Sequence, residues 1–289
     1  MRQGGAAIVI TDTHAHGLAG HGLRLLRERC RSARDGAFRT VRETEPVTTG
    51  KGARRLLATV NASYGPMAWT QRAATDRRGT YAAWLVPMAD AESIAVCCAS
   101  LRIPVRASAE LRQWPWMIVP KHAIARGHQR LRDTDWASVQ SEFSVVARHA
   151  SAVLLLSLVT GLKQFAIPAI HGLLIGDVEK DVLRARTFIV PPFSRRWGKV
   201  LDAWLRFEQR GSAAWSHAIN DAALDHQTTP LADALAALAE ELADCDFLRR
   251  PHEPGTDVEG DLWEAARAQA AREDEAAART LTWHPTADG

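Results

Sequence analysis

Residues 164–191 read QFAIPAIHGLLIGDVEKDVLRARTFIVP. The runs Gln164–Ile170, Gly172–Val178 and Val182–Pro191 are short and apolar, and the acidic turn Glu179-Lys180-Asp181 separates the last two. Runs of this length joined by tight turns predict three consecutive antiparallel strands. Working backwards, Tyr81–Met88, Ser93–Ile103 and Trp114–Val119 have the same β-branched and aromatic character and predict three more strands. The chain between the two groups has a helical period instead. Residues 121–132 (KHAIARGHQRLR) predict one helix despite Gly127. Asp133 or Thr134 then caps a second helix that begins near Trp136, and Ser138–Leu162 carries its long apolar pattern. Beyond the strands, Arg195–Arg210 is amphipathic, with Trp197, Leu201, Trp204 and Leu205. The expected fold class is α+β: a mostly antiparallel sheet packed against helices, followed by a helical acidic C-terminal extension.

The ends of the chain are less patterned. Residues 6–10 suit a short strand or a frayed terminus, and Leu18–Cys30 predicts a helix ringed by Arg24, Arg27 and Arg29. Residues 32–53 hold Gly36, Pro46, Gly50 and Gly52 without an apolar period and read as a mobile linker. After Gly211 the sequence is Ala-rich, and Leu231, Leu235, Leu238 and Leu242 form a packing seam. Pro251-His252-Glu253-Pro254-Gly255 breaks it, and residues 261–281 read as a solvated helix or as disorder. The expected layout is a basic helix and linker over 1–53, an α+β core over 54–210 and an acidic extension over 211–289.

A composition of 46% hydrophobic and 24% charged residues is ordinary for a globular chain and excludes collagen-like, disulfide-stapled and wholly disordered classes. Its four cysteines form neither a disulfide framework nor a zinc pattern. No run approaches the roughly 20 apolar residues of a membrane span, so a soluble, cytoplasmic protein is expected. The net charge of +3 is a cancellation: 31 basic residues against 17 acids give +14 over 1–210, and 5 against 16 give −11 over 211–289. That division suits a polyanion partner for the body or neutralisation of the body by the tail. Heavy use of Arg and Ala also follows from a GC-rich coding sequence alone, and the composition leaves both readings open.

Three constellations carry chemistry. Asp12-Thr13-His14-Ala15-His16 follows the apolar run Ile8–Ile10, and a strand ending in His-x-His sets two imidazoles on one side for a divalent metal. The string resembles the opening motif of the TatD and amidohydrolase metal hydrolases. The eight strand–helix alternations of their barrel are not in this pattern, and a capped helix start with two solvated histidines is the preferred reading. The second constellation is His122, Arg126 and Arg130, whose four-residue steps put them on one helical face. Two arginines can hold a phosphate while a His moves protons near neutral pH, which is what phosphodiester cleavage needs. A solvated basic helix face reads the same way. The third is Arg184 and Arg186, two apart on a strand, followed by Arg195 and Arg196 at the start of the Trp-bearing helix. A basic sheet face beside aromatic rings suits single-stranded nucleic acid. Trp197, Trp204 and Trp215 themselves read as core, and Cys97-Cys98 as two thiols on opposite faces of a strand.

The order Lys121-His122-Ala123, Arg126, Arg130, a second helix, then three strands ending in Arg184-Ala185-Arg186-Thr187-Phe188-Ile189 resembles the RelE/BrnT-like toxins over residues 116–190, about a quarter of the chain. The resemblance implies a small ribonuclease with helices on an antiparallel sheet, and it implies catalytic roles for His122, Arg126 and Arg130. No cofactor is expected, since no GxxxxGK[ST] or GxGxxG loop is present. The leading expectation is a nucleic-acid-interacting protein, RNA favoured, toxin-like or defence-related, whose acidic tail shields a basic surface through which it binds or cleaves. The alternatives are a non-catalytic module that docks a protein partner or a second copy of itself, and a metal-dependent hydrolase using His14 and His16.

Overall fold

Thr11, Thr49 and Asp135 each stand immediately before a helical pattern, and each places a side-chain oxygen on an orphan N–H of the first turn. In the computed structural model, which describes residues 9–68, 70–76, 79–179, 182–210 and 229–251, they start three of the six helices among those residues. Helix α1 runs over Asp12–Glu43 and α2 over Gly50–Tyr64. The expected linker over 32–53 is therefore helical over 32–43 and 50–53, with only the short connection 44–49 between. Its buried positions, Ala33, Ala37 and Val41, continue the stripe Ala15, Ala19, Leu23, Leu26 and Cys30, and small residues kept that stripe from standing out. Residues 1–8 lie outside the described ones, and residues 9–11 are not strand.

The strands are β1 (Thr70–Asp76), β2 (Gly79–Ala89), β3 (Ser93–Pro104), β4 (Glu110–Pro120), β5 (Gln164–Pro168), β6 (Leu173–Glu179) and β7 (Val182–Ile189). They form one sheet in the order β1-β2-β3-β4-β7-β6-β5. Both groups of strands predicted from the sequence are antiparallel meanders. They join through a short parallel contact, Met117 with Leu183 and Ile118 with Arg184. The fold is α+β, with this one parallel seam in an otherwise antiparallel sheet.

One face of β2–β4 packs on α1 and α2. Trp84, Ala99, Leu101 and Leu111 share a core with Ala33, Leu56, Val60 and Tyr64, so the first helix and the sheet bury each other. The Trp84 indole also donates to Asn61 Oδ1 at 3.0 Å. Helix α3 (Lys121–Leu131) leaves β4 directly and ends on Arg132 in the left-handed region (φ 54). Helix α4 (Trp136–Thr160) is capped by Asp135, one residue after the expected Thr134, and ends at Gly161 (φ 68). Its Phe143 meets Phe188 of β7 edge-on at 6.3 Å. Helix α5 (Arg195–Gln209) buries Trp197 and Trp204, and the Trp204 indole donates to the Ala166 carbonyl at 2.9 Å. Helix α6 (Thr229–Glu241) buries Leu238, and Leu242 follows it into the core.

The described residues up to Arg250 cluster as one compact unit. Trp215 and the segment 261–281 lie outside the described residues. Among the described residues no helix is long and apolar enough to cross a membrane.

Candidate nucleic-acid interface

His122, Arg126 and Arg130 all lie on α3, as their spacing requires, and His122 is exposed in its first turn. Arg126 reaches back to the start of α1. Its Nη1 donates to Gln129 Oε1 at 2.6 Å and lies 3.5 Å from Asp12 Oδ1, to which Gln129 Nε2 also donates. Burial pushes the Arg130 guanidinium pKa down, and the Arg126 charge pushes it further the same way. The face thus holds two guanidiniums close together, with Asp12 drawn against one of them. His128, off that face, is fully buried. Its Nδ1 is 2.8 Å from the Asp133 carbonyl, an acceptor, so Nδ1 carries the proton and Nε2 is a buried acceptor. Burial holds this imidazole below its ordinary pKa and neutral.

The second set forms a basic corner where β5, β6 and β7 meet α5 and the 3-10 turn Asp246–Arg249. Gln164, Asp177 and Arg184 are cross-strand partners in one row over β5, β6 and β7. Arg184 is exposed and donates through Nε to Glu179 Oε2 at 2.7 Å. Arg186 turns inwards, with Nε 2.9 Å from Asp177 Oδ2 and Nη2 donating to Gln164 Oε1 at 3.0 Å. Gln164 is almost fully buried, and its Nε2 donates to the carbonyls of Phe247 and Arg250. It thereby fastens the short 3-10 turn Asp246–Arg249 against the first residue of β5. Arg196 stacks over that turn, its guanidinium carbon 3.8 Å from the Phe247 ring centroid and 5.2 Å from that of Trp197. Burial lowers the Arg196 pKa, and the nearby charges of Arg186 and Arg250 lower it again. Arg195 is exposed one residue earlier.

Gln164, Asp177, Phe247 and Arg250 complete this corner and are not among the residues the sequence pattern singles out. A polar Gln164 at the head of the otherwise apolar FAIP run was the available signal, since such a residue is buried only where it has partners. Phe247 and Arg250 carried no local signal.

The His-x-His strand is not formed. Asp12–His16 is the first turn of α1, in which His14 is exposed and the His16 Nδ1 contacts the Asp12 carbonyl at 2.9 Å. Residues two positions apart on a helix point roughly 200° apart, so these imidazoles do not share a face. Among the described residues no group of three His, Cys, Asp or Glu is placed to hold a metal. A different histidine is oriented by a carboxylate. Glu142 of α4 is buried, and its two oxygens take the backbone N–H of His171 at 3.1 Å and its Nδ1 at 2.6 Å. This pins the exposed β5–β6 turn onto the helix.

Compared with known proteins, the chain matches no protein-family model, no curated protein and no solved structure.

Proposed function

We propose that the protein binds nucleic acid, RNA by preference, through the basic corner built by Arg184, Arg186, Arg195 and Arg196 with Arg250. The observation that carries this reading is the convergence of the Arg186, Arg196 and Arg250 charges. Burial lowers the Arg196 pKa and the charges of Arg186 and Arg250 lower it further, while its guanidinium is stacked on an aromatic ring. Like charges brought together and partly desolvated are costly unless an anion answers them. Planar guanidiniums meet phosphate through paired hydrogen bonds. Asp177, Glu179 and Asp246, which pair with Arg186, Arg184 and Arg249, offset only part of the charge.

Cleavage in the manner of the RelE/BrnT-like toxins is assigned to the α3 face, with His122 as proton carrier and Arg126 and Arg130 on the phosphate. The acidic extension belongs to the same reading, since Glu240 and Glu241 at the end of α6 hold Arg206 and Arg210 of α5. Four free cysteines suit the reducing cytoplasm as its place of action.

The test is fluorescence anisotropy of a labelled single-stranded RNA with the full chain across salt concentrations. Binding at about 50 mM salt should weaken steeply by about 200 mM as counterions are released. Arg250→Ala and Arg186→Ala should each lower the salt slope by about one unit. Absence of binding at the lower salt, or unchanged binding in both variants, ends the proposal. RNA turnover lost in His122→Ala with affinity retained supports cleavage on α3, and turnover equal to wild type removes it.

A further inference from the structure

The face of β2–β4 turned away from α1 and α2 carries a second arrangement. The residues that pack on those helices are Ala82, Trp84 and Val86 on β2, Cys97, Ala99 and Leu101 on β3, and Leu111 on β4. Alternation sends the residues between them to the opposite face. Cross-strand register sets three rows there. Leu85, Cys98 and Trp114 form the first, Ala83, Ser100 and Arg112 the second, and Tyr81, Arg102 and Glu110 the third. In the first row Leu85 and Cys98 are buried while Trp114 is 41% exposed, which is unusual for the largest side chain on a sheet. In the third row Arg102 holds its guanidinium carbon 5.9 Å from the Tyr81 ring centroid. The middle row, Ala83, Ser100 and Arg112, lies between the two aromatic residues.

We infer that this face is a stacking platform for single-stranded nucleic acid, with bases on Trp114 and on the Arg102–Tyr81 pair and phosphates on Arg102 and Arg112. The inference rests on the proposed affinity for nucleic acid and adds a separate surface and a preference for strand form. Aromatic rings and guanidinium planes both accept a base face, and each stacked base contributes about 1–3 kcal/mol. A duplex buries its base faces and cannot use such a platform. Two strand spacings and four residues along β2 separate Trp114 from Tyr81, a diagonal of roughly 16 Å. At ~3.4 Å per nucleotide along a stacked strand that diagonal covers about five nucleotides at most, the low end of the roughly 4–16 engaged by comparable single-strand platforms.

Glu110 stands against an anion here, since Arg112 donates Nε to Glu110 Oε1 at 2.8 Å and Nη2 lies 2.6 Å from the same oxygen. Both partners are well exposed, at 68% and 49%. A solvent-exposed ion pair contributes little, so Arg112 exchanges the carboxylate for a phosphate at small cost. Arg102 lies over an aromatic ring and is oriented before any ligand arrives.

The experiment uses the full chain with a labelled oligouridine of about 12 nucleotides and a duplex RNA of the same length. Trp114→Ala should weaken the single strand by about 5- to 150-fold, the equivalent of one stacked base. Trp114→Phe, which keeps a ring, should retain most of the affinity, and duplex affinity should be unchanged in both. Since Trp114 is exposed, an unchanged melting temperature certifies the fold of the variants. Single-strand affinity equal to wild type in Trp114→Ala overturns the inference, and so does an equal loss on duplex. Trp114→Ala that abolishes self-association while leaving oligouridine affinity intact overturns it in favour of a protein contact. If the wild-type chain binds neither probe, the proposed function fails with it; if duplex and single strand both bind and Trp114→Ala changes nothing, only the platform is lost.

Discussion

Gly17 and Gly22 lie on the same helix, and the same substitution at each should move stability in opposite directions. Glycine inside a helix costs about 1 kcal/mol relative to alanine, so Gly→Ala stabilises wherever the new methyl has room. A Cβ at Gly17 meets nothing within 4 Å, and Gly17→Ala is expected to gain about 1 kcal/mol. At Gly22 the methyl would fall among three ring carbons of Trp136, the farthest of them only 2.5 Å away. Trp136 is the first residue of α4, and its ring also faces His128 at 6.3 Å. To admit the methyl, the indole has to turn away and α1 and α4 have to separate. Overpacking of this kind costs about 1–3 kcal/mol and outweighs the propensity gain. At about 2–4 °C per kcal/mol for a chain of this size, Gly17→Ala should raise the melting temperature by a few degrees and Gly22→Ala should lower it. Trp136→Ala in the Gly22→Ala background should be less costly than Trp136→Ala alone, because the methyl then fills vacated space. Thermal unfolding followed by circular dichroism reads all four chains. A Gly22→Ala protein as stable as wild type would refute the close approach of α1 to α4.

Two further predictions concern titrating groups. His149 on α4 packs edge-on against Trp204 at 5.1 Å, and burial, with Arg148 beside it, lowers its pKa to about 4 from 6.5. The unfolded chain takes up a proton below about pH 6.5 while the folded one resists until about 4, so stability from the neutral ring is complete above 6.5 and lost as pH falls between those values. The loss is on the order of 3 kcal/mol, and the denaturation midpoint of His149→Gln should fall less over this window than that of wild type; equal slopes would contradict the assignment. Cys30, Cys97 and Cys98 have thiols pushed up to about 12 by burial, so a thiol reagent at pH 8 should label them only on unfolding. Rapid labelling of the native protein at any of these positions would show the core around β3 to be open.

What the sequence revealed followed from where apolar side chains cluster. The runs from Tyr81 to Val119 and from Gln164 to Pro191 became strands because β-branched and aromatic residues there face a core. Strand β1 escaped notice because TQRAATD has no apolar run, as an edge strand with only one neighbour permits. The second half of α1 escaped because Ala33 and Ala37 bury a helix face without large side chains. For the site, alternation was enough to pair Arg184 with Arg186. It could not indicate that Arg186 turns inwards to Asp177 and Gln164, because that depends on a bulge between Ile175 and Gly176. Arg250 and Phe247 join the corner from some 60 residues away, a proximity that only the tertiary fold creates.

The ion pairs divide the acidic partners of the body into two kinds. Glu110, Glu179 and Asp246 are exposed and pair with exposed arginines, Arg112, Arg184 and Arg249. Such pairs contribute little, are screened by salt and exchange readily. Glu241 differs. Its side chain is 5% exposed and is held by Arg206 at 2.6 Å and Arg210 at 2.8 Å. Removing those cations would leave a buried carboxylate uncompensated, which is far more costly than breaking a surface pair. Glu241 thus ties helix α6 to α5, and its charge is committed to Arg206 and Arg210. The carboxylates that a phosphate can displace are the exposed ones, and two of these, Glu110 and Glu179, sit within the platform and beside the corner. A polyanion binding at either place competes with the protein's own carboxylates as well as with salt. Glu110→Gln should therefore strengthen single-strand binding selectively, and Glu179→Gln should strengthen single- and double-strand binding alike.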